Sequence, residues 1–172
     1  MNLETLVTPR LEIRHPCEAD RGRFVELWGD AEFMIFSSGA KTAEAANARF
    51  DHMMAMCEAI PFAKQPIIER ASGLVVGYTG VDQFTYKGRT RLEWGYRLVG
   101  EARGRGYATE ASRALLAGAH ETFSGELLAM IDPANHASPN VCRKLGFAFL
   151  KRAPVDGVVR NIYTLVVGDS HP

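Results

Sequence analysis

The sequence predicts an α/β fold in which a central, mixed and twisted sheet of about seven strands is flanked by about four helices. Two patterns carry this prediction. Three strand-like runs with short connections fill residues 61–99, which is typical of an antiparallel meander. A strand–helix–strand unit follows over residues 91–132, and a crossover helix makes the strands on either side of it parallel.

Length and composition indicate a single globular domain that covers residues 1–172. The 172 residues are a common domain size and include 47% hydrophobic and 23% charged residues. Twenty basic residues balance twenty acidic ones, so we expect no attraction to nucleic acid or to an anionic membrane. Any anion-binding site should therefore be local.

The chain shows no pattern of an exported or membrane-spanning protein. Its first residues, MNLETLVTPRLEIR, lack a basic and apolar leader, and no apolar run approaches the ~20 residues that a bilayer demands. The three cysteines are widely spaced, which predicts neither a disulfide framework nor a metal site. We expect a cytoplasmic protein.

Elements of the first half follow from hydrophobic spacing. Residues 10–15, RLEIRH, alternate like a half-buried strand. Two amphipathic helices are predicted over residues 18–30, with Phe24, Leu27 and Trp28 on one face, and over residues 42–60. The loop FMIFSSGAK at residues 33–41 is rich in aromatic residues, and we expect it to form a pocket wall.

The second half begins with the three strands of the meander, at residues 62–70, 74–86 and 91–99. A helix follows Gly106 and ends at Gly125 before the strand ELLAMID. A short helix is predicted from Ser138 as N-cap, with Pro139 at the first helical position, to Gly146. Two strands joined across residues 154–157 complete the sheet.

The turn GEARGRGYATEASRALL at residues 100–116 has the features of an anion site. A strand that runs through a glycine-rich turn into a helix presents unpaired N–H groups and the positive end of the helix dipole. Gly104 and Gly106 would let a phosphate approach the backbone, and Arg103 and Arg105 could add charge-assisted hydrogen bonds. The pattern predicts a diphosphate site, with a solvated turn as the alternative.

A dinucleotide-binding unit is one competing interpretation of this turn. Gly104-x-Gly106 begins like Gly-x-Gly-x-x-Gly, and Asp132 ends the next strand, where an acid that binds ribose would lie. Thr109 replaces the third glycine, however, and the preceding strands form a meander. A P-loop is excluded because no Gly-Lys-Ser/Thr closes the turn.

Four blocks of the sequence resemble the GNAT superfamily of acetyl-CoA-dependent N-acetyltransferases. The RGRGYA loop is similar to the Arg/Gln-x-x-Gly-x-Gly/Ala loop that binds the coenzyme A pyrophosphate in that family. TPRLEIR, LEWGYRL and the Asn-x-x-Ser…Lys-Leu-Gly-Phe pattern that starts at Asn135 also match, in family order. The set most resembles the branch of ribosomal-protein N-terminal alanine and serine acetyltransferases.

The resemblance implies where acetyl-CoA would bind. In the family, the pyrophosphate lies on the turn, and the pantetheine arm runs along the strand before it and past the start of the fourth helix. Backbone donors in that slot would polarise the thioester carbonyl. The candidate cofactor-binding residues are Leu98, Val99, Arg103, Gly104, Arg105, Gly106, Tyr107, Ala108, Thr109, Asn135 and Ser138. Asn140 on the fourth helix could reach the distal phosphates of the coenzyme, with simple solvent exposure as the alternative.

Glu93 matches an acidic position of the family and is the predicted general base. An amine must lose a proton to attack a thioester, and burial can raise the pKa of a carboxylate toward working pH. The alternative is a structural glutamate paired with Arg91 or Arg97.

Cys142 stands where many relatives carry a tyrosine that protonates the leaving thiolate. A thiol has a suitable unperturbed pKa for this task, but cysteine is also among the most buried residue types. Cys142 is therefore both a candidate acid and a candidate packing residue.

These observations predict an enzyme that transfers the acetyl group of acetyl-CoA directly to a primary amine, either a protein N-terminus or a small amine. The chain is expected to be a monomer or a homodimer. A non-catalytic acyl-CoA sensor on the same fold is the rival interpretation, and the missing tyrosine is its only support.

Overall fold

The computed structural model describes residues 5–168, in which an open eight-stranded sheet carries helices on both faces. The strands are Leu6–Val7 (β1), Leu11–Ile13 (β2), Gln65–Glu69 (β3), Leu74–Tyr86 (β4), Arg89–Leu98 (β5), Gly125–Ile131 (β6), Ala148–Val155 (β7) and Val158–Val167 (β8). The helices are Arg21–Gly29 (α1), Ala43–Ala59 (α2), Tyr107–Thr122 (α3) and Ser138–Lys144 (α4). The predicted α/β class is confirmed; the additional strand, β1, is too short to show an alternating pattern.

The sheet is mixed, as the sequence predicts. Strands β1 to β6 are neighbours in chain order, and β8 and then β7 complete the far edge. β5 and β6 pair in parallel, whereas the other neighbouring strands are antiparallel. Because β3, β4 and β5 form an antiparallel meander, the chain does not have the parallel strand series of a dinucleotide-binding unit.

β5 and β6 separate after a short paired stretch. Their parallel register joins Leu92 to Leu127 and Glu93 to Leu128. β5 then continues to Leu98 and β6 to Ile131 without pairing to each other. The two strands therefore splay apart, and Glu93 lies where the gap begins.

Each face of the sheet buries a separate core. One core lies between the sheet and α3, which buries small and branched residues every three or four positions as predicted. The other lies between the sheet and the α1–α2 pair, where Phe24, Leu27 and Trp28 are buried. Thr42 caps α2 by accepting a hydrogen bond from the N–H of Ala45 at 3.2 Å.

The start of α4 differs from the prediction in one respect. Ser138 is the first helical residue, and it does not act as the N-cap. Instead, the N–H of Ser138 donates to Oδ1 of Asn135 at 3.2 Å. The side chain of Asn135 thus satisfies a donor at this helix start, which leaves the Ser138 hydroxyl available for other contacts.

No helix within residues 5–168 has the length and apolar character needed to cross a membrane.

Candidate active site

The glycine turn joins β5 to α3 and takes a backbone shape that suits an anion. Gly104 has φ +70° and Gly106 has φ +81°, both in the left-handed region that favours glycine. The first hydrogen bond of α3 runs from the N–H of Glu110 to the carbonyl of Gly106 at 3.0 Å. The N–H groups of residues 107–109 precede that bond, so the helix supplies no acceptors for them.

The space above this turn is open. A Cβ atom built on Gly104 would meet no atom within 4 Å, and one on Gly106 would meet Nη2 of Arg10 at 3.4 Å. A Cβ at Gly104 would therefore extend into open space, and one at Gly106 would contact the guanidinium of Arg10. Free N–H groups, a helix N-terminus and this open cradle together fit a diphosphate.

The two arginines of the turn already have acidic partners. Arg103 donates to the carbonyl of Leu98 at 3.1 Å and to Oε1 of Glu32 at 3.2 Å. Nη1 of Arg105 lies 2.8 Å from Oε1 of Glu69. These contacts hold the turn in place, and direct binding of phosphate by either arginine remains a prediction.

Arg10 fixes the turn from the other end of the chain. Its guanidinium donates to the carbonyl of Arg105 at 2.9 Å and binds Glu110 through two nitrogens, at 2.8 and 2.6 Å. The ring of Tyr107 lies between Arg10 and Arg105, with its centroid 4.7 and 4.5 Å from the two guanidinium carbons. Tyr107 also donates its hydroxyl to Glu69 at 2.7 Å. The backbone of the turn is therefore held rigidly by side chains.

Glu93 has no basic partner in the described part of the chain. The guanidinium of Arg91 pairs with Glu126, and that of Arg97 donates to backbone and phenol oxygens. The salt bridges formed within residues 5–168 do not include Glu93, so its predicted pairing with either arginine is absent there. Its carboxyl group instead accepts a hydrogen bond from the backbone of Met130.

The surroundings of Glu93 raise the pKa of its carboxyl group. Burial is the largest cause, the positive charges of Lys64 and Arg160 oppose it, and the charge of Asp82 adds to it. Asp82 lies directly across from Glu93 in the β4–β5 pair. A carboxylate with this shift is a better proton acceptor near neutral pH than an exposed one.

Gly95 leaves room beside Glu93. It lies two residues further along β5 and on the same face of the sheet. A Cβ atom on Gly95 would meet no atom within 4 Å. Substrate atoms therefore have space next to the Glu93 carboxylate.

A polar group that the sequence did not indicate bridges β5 and α4. The hydroxyl of Tyr96 lies 3.0 Å from Oγ of Ser138, and Nδ2 of Asn135 donates to the same oxygen at 2.9 Å. The pKa of Tyr96 is raised overall, because the effect of burial exceeds the lowering effect of its hydrogen bond to Ser138. Asn135 and Ser138, both predicted site residues, are thus brought together. Tyr96 could have been found from its strand position near Glu93.

Cys142 is fully buried in the core beneath α3 and α4. Burial raises the pKa of its thiol to about 12.

Among the other predicted site residues, Leu98 and Ala108 are buried, Val99 and Thr109 are partly buried, and Asn140 is exposed on α4. Within residues 5–168 no group of three or more His, Cys, Asp or Glu side chains is arranged to hold a metal ion.

Comparisons with known proteins agree with this geometry. The uncharacterized protein YkkB of Bacillus subtilis (strain 168) is 32% identical over 160 residues, which cover 88% of this chain and 90% of that protein. The solved acetyltransferase of Agrobacterium tumefaciens (strain C58) superposes with a TM-score of 0.80 at 24% identity, over 96% of this chain and 95% of the other.

A structure of RimL, the ribosomal L7/L12 α-N-protein acetyltransferase, in complex with coenzyme A also matches. Its TM-score is 0.77 at 15% identity, over 95% of this chain and 98% of the other. The family model of the acetyltransferase (GNAT) domain matches residues 10–148. The sheet with splayed central strands is therefore the GNAT fold, and the chain is an acyltransferase that belongs to the GNAT family of acetyltransferases.

Proposed function

We propose that this enzyme transfers the acetyl group of acetyl-CoA to a primary amine, which attacks the thioester directly. The observation that carries the proposal is Glu93, a carboxyl group with a raised pKa and no salt-bridge partner among the described residues, located where β5 and β6 separate. A protein N-terminus or a small amine would fit as acceptor. The similarity to ribosomal-protein acetyltransferases supports the first of these.

Glu93 would act as the general base. At pH 7 most primary amines are protonated, and the amine becomes a nucleophile only after losing that proton. The Glu93 carboxylate would take it, directly or through a water molecule, in the open space over Gly95.

The turn at residues 103–109 would hold the diphosphate of acetyl-CoA. Its backbone N–H groups and the start of α3 supply the donors, and the glycines at 104 and 106 leave the necessary space. When bound, acetyl-CoA supplies an activated acyl group and a thiolate leaving group. Leu98 and Val99 would lie along its pantetheine arm, as in the family.

Cys142 is better explained as a packing residue than as the acid. Its exposed fraction is 0%, and a thiol with a pKa of about 12 is a weak proton donor to another thiolate. The hydroxyls of Tyr96 and Ser138 lie between β5 and α4 and would take its place near the leaving group.

The proposal extends to the setting in which the enzyme acts. Balanced charge and three free cysteines support a reducing cytoplasm, without nucleic acid or membrane as a partner. A monomer or a homodimer would be active, because the residues described above all come from one chain.

A first experiment separates catalysis from sensing. Thermal shift with acetyl-CoA, coenzyme A and NAD should show stabilisation by the first two alone, and thiol release should follow when amines are added. Binding of coenzyme A with no release on any amine would favour the non-catalytic sensor.

The Glu93→Gln variant then tests the base. We expect kcat to fall by roughly 10²- to 10⁴-fold, which is the usual contribution of a general base. The wild-type rate should decline as pH falls through the raised pKa of Glu93, and this acid limb should be lost in the variant. The measurement is kcat against pH.

Glu121→Gln is the matched control, since Glu121 is exposed at the end of α3. The control should keep both the rate and the acid limb. An acid limb that survives unchanged in Glu93→Gln would remove Glu93 from the mechanism.

A further inference from the structure

A small cleft lies between α2 and β4, on the sheet face that carries Glu93. Asp82 lines it and lies directly across the β4–β5 pair from Glu93. Opposed residues in such a pair have Cβ atoms about 4.5–5.5 Å apart. Asp82 therefore places one wall of the cleft next to the strand position of the proposed base.

The walls of the cleft carry more positive than negative charge. Lys64 and His52 both contact the carboxylate of Asp82, at 3.3 and 2.9 Å. The charges of Lys64 and Asp82 offset one another. Arg49 also lines the cleft, and its guanidinium packs 5.2 Å from the centroid of the Trp28 ring. Among residues 5–168, no carboxylate lies within 4.0 Å of Arg49.

Arg49 is thus a cation without an anion in this part of the molecule. Its partly buried position weakens its hydration, and a guanidinium offers donors that match a carboxylate in geometry. Trp28 also lines the cleft, and its buried indole Nε1 has no hydrogen-bond acceptor among the described residues. Both groups are hydrogen-bond donors.

The pKa of the Tyr78 phenol also indicates a positive electrostatic potential in this region. Burial raises the pKa of Tyr78, yet the charges of Arg97, Lys64 and Arg49 together outweigh burial, and the pKa lies below its ordinary value. Arg97 donates to the Tyr78 hydroxyl at 3.3 Å, and no carboxylate of the described chain pairs with it. Anionic ligand atoms would be stabilised in this region.

We propose that the acceptor is an amine that also carries a carboxylate, and that Arg49 binds this carboxylate in the cleft while the amine lies at Glu93. The inference rests on the proposed function and names its substrate class. A polyamine is disfavoured because Arg49 would repel its second cationic group. A free amino acid and a peptide with an acidic side chain near its N-terminus both meet this chemical requirement.

The experiment compares acceptors that differ in the carboxylate alone. L-glutamate and L-aspartate are measured against L-glutamine and L-asparagine, and a Ser-Glu-Ala peptide against Ser-Gln-Ala, with spermidine as the polycation. Thiol release gives kcat and KM for each. We expect KM to be lower for the acidic member of the productive pair. A free amino acid and a peptide are distinguished by which pair turns over.

Arg49→Met tests the residue. It should raise KM for the acidic acceptors by roughly 10- to 100-fold, as expected for the loss of a charge-assisted hydrogen bond, and abolish the preference over the neutral partner. Arg49→Lys should retain part of the preference. Arg89→Met, which changes an exposed arginine at the start of β5, should behave like the wild type.

Two results overturn the inference while leaving acetyl transfer intact: neutral amines or spermidine turning over as well as the acidic acceptors, or a preference that persists in Arg49→Met. Arg49 serving only to pack against Trp28 would give the second result. No thiol release with any amine would instead overturn the proposed function. In that case, calorimetric titration of the acidic amines into the coenzyme A complex still tests Arg49. If wild type and Arg49→Met bind these amines equally well, the inference is overturned.

Discussion

The glycine turn and the cleft beside α2 both contain arginines, but they use them differently. In the turn, Arg103 and Arg105 are paired with Glu32 and Glu69, so the guanidinium groups hold the loop, and in our proposal the backbone N–H groups bind the diphosphate. In the cleft, Arg49 has no carboxylate partner among the described residues. We propose that the neutralised arginines of the turn are structural and that Arg49, without an anion, is available to a substrate.

The strongest test of this difference is Gly106→Val. We expect coenzyme A affinity to fall by about 100-fold or more, because a side chain would occupy the space of the diphosphate and Gly106 has φ +81°. Isothermal titration with coenzyme A measures the effect.

The control for backbone strain is Gly88→Val. Gly88 has φ +71° in the β4–β5 turn, where an added Cβ would meet no atom within 4 Å. Both variants should lose stability, and the control should keep its affinity for coenzyme A. Equal affinities in the two variants would refute the site.

Arg105→Ala should have a smaller effect. If the backbone carries the diphosphate and Arg105 only braces the turn through Glu69, coenzyme A affinity should fall by less than about 10-fold. The same titration measures it. A loss as large as that of Gly106→Val would mean that Arg105 binds the phosphate itself. The arginines of the turn and Arg49 of the cleft would then both act as ligand-binding residues.

Asp82→Asn should have the smallest effect, a shift in pH dependence. The charge of Asp82 raises the pKa of Glu93, so its removal lowers that pKa and leaves Lys64 to lower it further. The acid limb of kcat should then move to lower pH, by less than about one unit. A shift toward higher pH would contradict the proposed coupling between the cleft and the base.

Local patterns in the sequence were sufficient for most of the fold. The meander, the crossover helix and the turn at Gly104 and Gly106 each depend on neighbouring residues, and each was predicted correctly. The short strand β1 was missed because two residues carry no periodicity. Ser138 was misplaced as a cap because the helix already includes it, and its own N–H donates to Oδ1 of Asn135, three residues earlier.

The contacts that shape the site could not be predicted in this way. Arg10 and Arg105 are separated by 95 residues, and Arg21 of α1 reaches Asp51 of α2 across 30. The side chains of the cleft come from three elements, and no motif links Arg49 to Asp82. Arg49 has no carboxylate partner among the described residues because the fold places the carboxylates elsewhere. Such an arrangement is a property of the tertiary structure and cannot be predicted from local sequence.

The clamp that Arg10 forms on the turn has a consequence for how the coenzyme binds. The guanidinium holds the carbonyl of Arg105 and the side chain of Glu110 through contacts made within the protein itself. If the turn binds the diphosphate as we propose, the loop loses little conformational entropy on binding, and more of the contact energy becomes affinity. Residues near the N-terminus thus govern a loop in the middle of the chain, and a shortened protein that lacked Arg10 would recognise coenzyme A with an unbraced loop.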